Sequence, residues 1–203
     1  MGTRTLFALA VLGAVLCSVW AQAGAGREKY RQGYYLDAVN NRVDGFICFH
    51  ENNYDHFYFR KAAGSPATRI DVAAANGFAF DNRTFVVLED VHWQAGLWRS
   101  HARRAFAELL VDGRVKLYRV FREVNQPRPL TGQGGAIPAV ANYLLRRDGD
   151  YTFLSLSEKR QTFRQQLSEY LKDNLELSAQ VLQSDSSAFD LTGVITAYNK
   201  GGQ

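Results

Sequence analysis

The 203-residue chain carries 24 Lys and Arg against 20 Asp and Glu, a formal net charge of +4 at pH 7. That excess is too mild for a nucleic-acid binder, which needs a strong basic patch, while 46% hydrophobic and 13% aromatic residues exclude a disordered chain. With cysteines only at positions 17 and 48, a disulfide-stapled scaffold is excluded too.

The chain opens with Arg4, an apolar run over residues 6–16, and small residues ending in Ala21-Gln22-Ala23. These are the charged, apolar and cleavage regions of a secretory signal peptide over residues 1–23. The apolar run is shorter than the ~20 residues of a membrane-spanning helix. No later stretch approaches that length, so an exported protein with no transmembrane span is expected. Leu16 is too bulky to precede a lipidated cysteine, so Cys17 leaves with the leader. Cys48, in the apolar run 46–49, reads as a buried small hydrophobe. About 180 residues remain, enough for one compact domain in which a β-rich region, 24–156, carries a helical region, 157–203.

Residues 33–39 and 42–50 are aromatic and β-branched around Asn40-Asn41, which suits a two-residue hairpin turn because Asn tolerates left-handed backbone. Residues 57–60 and 68–72 form a second pair around Gly64-Ser65-Pro66. A third, 78–80 with 84–88, flanks Asp81-Asn82-Arg83. Residues 105–111 and 114–121 flank Asp112-Gly113, a strong hairpin signal. Ala102, Ala105, Phe106, Leu109 and Leu110 also share a helical face that Gly113 could end, but the second arm is so plainly a strand that the hairpin is favoured. Residues 125–138 hold three prolines and read as a loop, after which 142–147 and 150–156 repeat the hairpin around Asp148-Gly149.

From Glu158 the period changes. Phe163, Leu167, Tyr170 and Leu171 share one helical face. A short second helix over 175–182 carries Leu175, Ala179 and Leu182 on a stripe. Asp185-Ser186-Ser187 is expected to cap a third, whose face holds Leu191, Val194, Ile195 and Tyr198. Strands in a run followed by helices in a run predict an α+β fold: an antiparallel, hairpin-rich rolled sheet followed by three C-terminal helices.

Several stretches occur in an order that resembles a group of uncharacterised secreted proteins of the Bacteroidota. Their mature start, G-Y-I-V-T-L-N-G-D-T-V-K-G-F-I, is matched by Gly33-Tyr34-Tyr35-Leu36 and Val43-Asp44-Gly45-Phe46-Ile47. An F-x-x-L-x-x-G-x-x-x-L-Y segment is matched by Phe106, Leu109 or Leu110, Gly113, Leu117 and Tyr118. A helix F-x-x-x-L-x-x-Y-L-x-D and a closing Y-N are matched by Phe163, Leu167, Tyr170, Leu171, Asp173, Tyr198 and Asn199. Asn40 stands where the group has a turn glycine. The resemblance implies an exported envelope protein of a Gram-negative bacterium and carries no activity with it.

Three sets of residues could bear function. On the strand from residue 114, alternation groups Arg114, Lys116, Tyr118 and Arg122 opposite Val115, Leu117 and Phe121. That cationic face suits an anionic envelope component or another envelope protein. The loop His50-Glu51-Asn52-Asn53-Tyr54-Asp55-His56 could supply a metal centre from His50, Asp55 and His56, and with it a metal-dependent hydrolase. Trp93 and Trp98, beside His92 and His101, could stack on a glycan or small ligand. No G-x-S-x-G elbow, H-E-x-x-H pair, phosphate loop or dinucleotide glycine pattern occurs. The leading expectation is a non-catalytic, exported binding or structural protein of the periplasm with no cofactor.

Overall fold

The computed structural model describes residues 29–95, 98–123, 139–184 and 189–201. Ten strands, β1 Arg31–Asp37, β2 Arg42–Cys48, β3 His56–Arg60, β4 Thr68–Asp71, β5 Ala75–Phe80, β6 Arg83–Ala95, β7 Trp98–Val111, β8 Val115–Glu123, β9 Ala139–Arg147 and β10 Leu154–Ser155, precede three helices, α1 Arg160–Tyr170, α2 Leu175–Gln183 and α3 Leu191–Lys200. All strands join one antiparallel sheet in the order β10-β9-β8-β7-β6-β5-β1-β2-β3-β4, curled into a half-barrel. The α+β architecture expected from the hairpin-then-helix order is the one observed.

Glycine permits the tight coiling at the first hairpin. Gly33 and Gly45 face each other across β1 and β2. A Cβ on Gly33 would lie 2.1 Å from the Ala79 carbonyl oxygen, and one on Gly45 2.4 Å from that of Arg60. The neighbouring strands thus close over both glycines. The turn itself is longer than two residues. Asp37 ends β1, and its carboxylate accepts hydrogen bonds from the backbone N–H groups of Val39 and Asn41. Asn40 takes the left-handed conformation, at φ 66°.

Strand alternation sorts the core onto two faces. On one, Phe78, Phe85, Phe106 and Phe121 fill the curl with Ile47, Phe57 and Phe59. Further along the same face, Val115, Leu117 and Leu145 receive Leu167, Leu171, Val181, Ile195 and Tyr198 of the helical region. On the other face Tyr118, Val120 and Leu144 are covered by Val91, Trp93 and Ala102, from the far end of the β6–β7 hairpin. Leu88 and Val91 join the same cluster although three apart, because Asp90, at φ 53°, resets the alternation. The helical alternative for residues 102–110 is excluded, since β7 pairs with β6 in one register as far as Ala95↔Trp98, interrupted only at Asp90.

Two helical expectations need correction. On α2 it is Val181 that is buried and Leu177 that packs on the core, whereas Leu175 is 80% exposed and Leu182 51%. The Asn174 side chain accepts the Leu177 N–H at 3.1 Å, which starts the helix with the 177/181 face turned inward. On α3 the cap is Asp190, which accepts the Gly193 N–H at 2.9 Å; Asp185-Ser186-Ser187 lies outside the described residues. The last expected strand, residues 150–156, shrinks to Leu154–Ser155.

The helices are tied to the sheet through Asn199, whose side-chain oxygen accepts the Val115 N–H and whose amide donates to the Val115 carbonyl, both at 2.9 Å. A Cβ at Gly113 would stand 2.5 Å from the Asn199 amide nitrogen. Gly113→Ala is therefore expected to cost about 1–3 kcal/mol by overpacking, added to the strain of a side chain at φ 156°. Gly149→Ala, where nothing lies within 4 Å, should cost only left-handed backbone strain of about 1–2 kcal/mol. Urea midpoints of the two variants check the contrast.

Candidate binding cleft

The cations of the β8 stretch are matched by nearby carboxylates. Lys116 sits 3.0 Å from Asp112 and 3.1 Å from Asp148, and hydrogen bonds to Asp112 and then Asp148 raise its pKa. Arg114 lies over the Tyr198 ring at 4.5 Å and 3.8 Å from Asp173. Tyr118 is buried in the core of the opposite face, so the strand does not present the four residues as one open face. The side chain of Arg122 lies outside the described set.

Asp173 is the hub of a second ion pair. Arg147 grips both its oxygens, at 3.0 and 3.1 Å, and the Tyr198 hydroxyl donates to it. Hydrogen bonds from Arg147 and then Tyr198 hold the Asp173 carboxyl far below the usual carboxylate range. Burial pushes the neighbouring Tyr170 phenol up to about 12.

The His50–His56 loop is occupied by its own turn. His56 Nδ1 lies 2.6 Å from Asp55 Oδ1, and its Nε2 3.3 Å from the Asn53 amide nitrogen. His50 Nε2 turns instead to the Cys48 thiol, at 3.7 Å. Cys48 is buried. Tyr58 stands between the two imidazoles, its ring 6.1 Å from that of His50 and 5.4 Å from that of His56. The structure does not bring His50, Asp55 and His56 together as ligands: among the described residues such atoms converge elsewhere. Trp93 is 4% exposed and packed edge-on to Tyr54 at 5.3 Å, so its face is closed to a sugar. The side chain of Trp98 lies outside the described set.

Sequence reasoning missed an ionic lock inside the curl. Glu108, 4% exposed, accepts two hydrogen bonds from Arg83, at 2.8 and 2.9 Å, and two from Arg119, at 3.0 and 2.7 Å. Burial raises the Glu108 pKa, but the two arginines outweigh it and hold the carboxyl below its ordinary value.

Two open concavities flank α1. On one side a cleft of about 570 Å³ is lined by Arg147, Leu154, Tyr170 and Asp173 among others, and its guanidinium and carboxylate already satisfy each other. On the other a cleft of about 540 Å³ has aromatic and aliphatic walls from Tyr143, Leu156, Phe163 and Phe189, with Arg160, Arg164 and Glu158 around them. Phe163 and Phe189 meet edge-to-face at 5.6 Å. The entry to α1 is held by Gln166, whose side-chain oxygen accepts the Ser157 N–H at 2.8 Å. The Leu156 N–H bonds the Tyr143 carbonyl at 2.9 Å. This cleft combines apolar walls with two guanidinium groups one helical turn apart, the combination that takes up an apolar body with an anionic head. The signal for it in the sequence is Arg160, Phe163 and Arg164, at i, i+3 and i+4 on one helix face.

Comparison with protein-family models, with curated proteins and with solved structures returned no match.

Proposed function

We propose that the protein is an exported, non-catalytic binding protein of the Gram-negative envelope. Its ligand is an amphiphilic anion, a carboxylate or phosphate with an apolar body, held in the cleft beside α1. The observation that carries this reading is the pairing of Tyr143, Phe163 and Phe189 with Arg160 and Arg164 in one concavity of about 540 Å³, a volume suited to a small ligand. The signal-peptide pattern of residues 1–23 supports export, and the ordered motif resemblance to secreted proteins of the Bacteroidota supports the same compartment. Binding through the cationic strand face is the weaker version of the idea, because Tyr118, one of its four residues, is buried in the core.

The test is titration with a fluorescent long-chain carboxylate and with the corresponding alcohol. Saturable binding of the carboxylate is expected, weakened at least tenfold, about 1.4 kcal/mol, in Arg160→Ala with Arg164→Ala. Equal binding of the alcohol would remove the anionic head from the reading. No saturable binding of either probe would remove the cleft.

A further inference from the structure

The far end of the β6–β7 hairpin carries two of the four histidines of the chain. Its register sets His92 directly opposite His101, and the two rings lie face to face, 4.4 Å apart and 25° from parallel. Both turn Nε2 towards one oxygen, Asp90 Oδ1, at 3.5 Å from His92 and 2.7 Å from His101. Asp90 reaches them from left-handed backbone, at φ 53°, a conformation rare for residues other than glycine. From these positions we propose that Asp90, His92 and His101 form a binding site for a zinc-class divalent cation, separate from the cleft and independent of its ligand.

Three features carry the proposal. The donor atoms, two imidazole nitrogens and one carboxylate oxygen, lie within 4.8 Å of one another. A tetrahedral shell with metal–ligand bonds of about 2.0–2.1 Å spaces its ligand atoms about 3.3 Å apart, so small side-chain rotations close the set. The scaffold is a paired strand rather than a loop. Val91, Trp93 and Ala102 beside the donors are buried against the back of the sheet, which fixes the backbone from which all three project. The chemistry is also right, because neutral imidazole with carboxylate suits zinc and its first-row neighbours, whereas calcium and magnesium prefer oxygen alone.

All three residues are exposed, so the remaining coordination positions are open to water or to a donor from another molecule. The site is accordingly an exchangeable one, and metal binding braces the hairpin instead of completing the core.

Calorimetric titration of the untagged protein with zinc chloride tests the site, with nickel chloride as a second probe. One equivalent of zinc is expected to bind, and the affinity should fall at least tenfold in His92→Ala with His101→Ala and in Asp90→Asn. These exposed positions permit substitution, and an unchanged near-ultraviolet circular dichroism spectrum confirms the fold of each variant. His50→Ala with His56→Ala removes the other two histidines and should bind zinc as the parent does. Absence of a one-equivalent event in the parent would overturn the proposal. So would full retention in the His92/His101 variant, or loss confined to the His50/His56 variant.

Discussion

Glu108→Gln is expected to lower stability by about 3 kcal/mol, the lower end of the cost of breaking a buried ion pair. The amide keeps the shape of the carboxylate but turns a donor towards guanidinium groups that offer only donors. The cost stays at the lower end because the side chains of Arg83 and Arg119 are 27% and 29% exposed and can reach water. Urea unfolding measures the effect directly. Replacing the set together, with Arg83→Met, Glu108→Leu and Arg119→Met, should restore most of the loss, since well-packed apolar residues often match a buried ion pair. A triple variant weaker than Glu108→Gln would mean that the lock supplies net stability to the curl.

Glu108 also sets an acid limit. Its folded-state pKa lies below its ordinary value, so the stability it contributes is complete above the unfolded carboxylate pKa of about 4.3. That contribution disappears as the pH falls through the folded value. Asp173, lowered by hydrogen bonds from Arg147 and then Tyr198, has the same sign. The parent should therefore lose stability on acidification below about pH 5 more steeply than Glu108→Gln, measured as urea midpoints from pH 7 to pH 3.

The second large effect is expected at Asn199. Its side chain pairs with Val115 as a neighbouring strand would, through both the N–H and the carbonyl, and Val115 is fully buried. Asn199→Ala leaves two buried backbone groups without partners, each costing about 1–3 kcal/mol, so a loss of about 2–4 kcal/mol is expected. Because Gly113→Ala displaces the same side chain and also strains the backbone at φ 156°, the overpacking part of its cost should vanish in the Asn199→Ala background while the backbone part remains. A double-mutant cycle reads that non-additivity. Additive losses would show that the glycine matters for its backbone and not for the docking of α3.

Where local chemistry decided the outcome, the sequence was readable. Asp112-Gly113 and Asp148-Gly149 announced their hairpins, and Leu191, Ile195 and Tyr198 announced the buried face of α3. Alternation placed Val115, Leu117 and Phe121 on one side of β8. It could not tell that Tyr118 and Val120 on the other side would be covered as well. That cover comes from the end of another hairpin, and it depends on one left-handed residue, Asp90, in the middle of a long strand.

The candidate sites were less legible. Histidines 92 and 101 were visible as neighbours of two tryptophans, but only the β6–β7 register makes them a facing pair. Lys116 looked free until the turns at Asp112 and Asp148 came to rest on either side of it. Glu108 is one acid in a basic stretch, and its partner Arg83 lies 25 positions away. The cleft beside α1 draws its walls from β9, the start of α1 and Phe189, segments that share no local pattern.

By itself, the sequence determined the α+β class, the order of strands before helices and most of the inward faces, because turn chemistry and hydrophobic period act over a few residues, but it did not give the long β6–β7 hairpin. The tertiary structure alone decided that β5 returns to pair with β1, which cations are neutralised, and where histidines, carboxylates and aromatic walls converge. The physical reason is range. Those outcomes depend on contacts between segments far apart in the chain, selected by the packing of the whole sheet against its helices and by the cost of closing the loops between them.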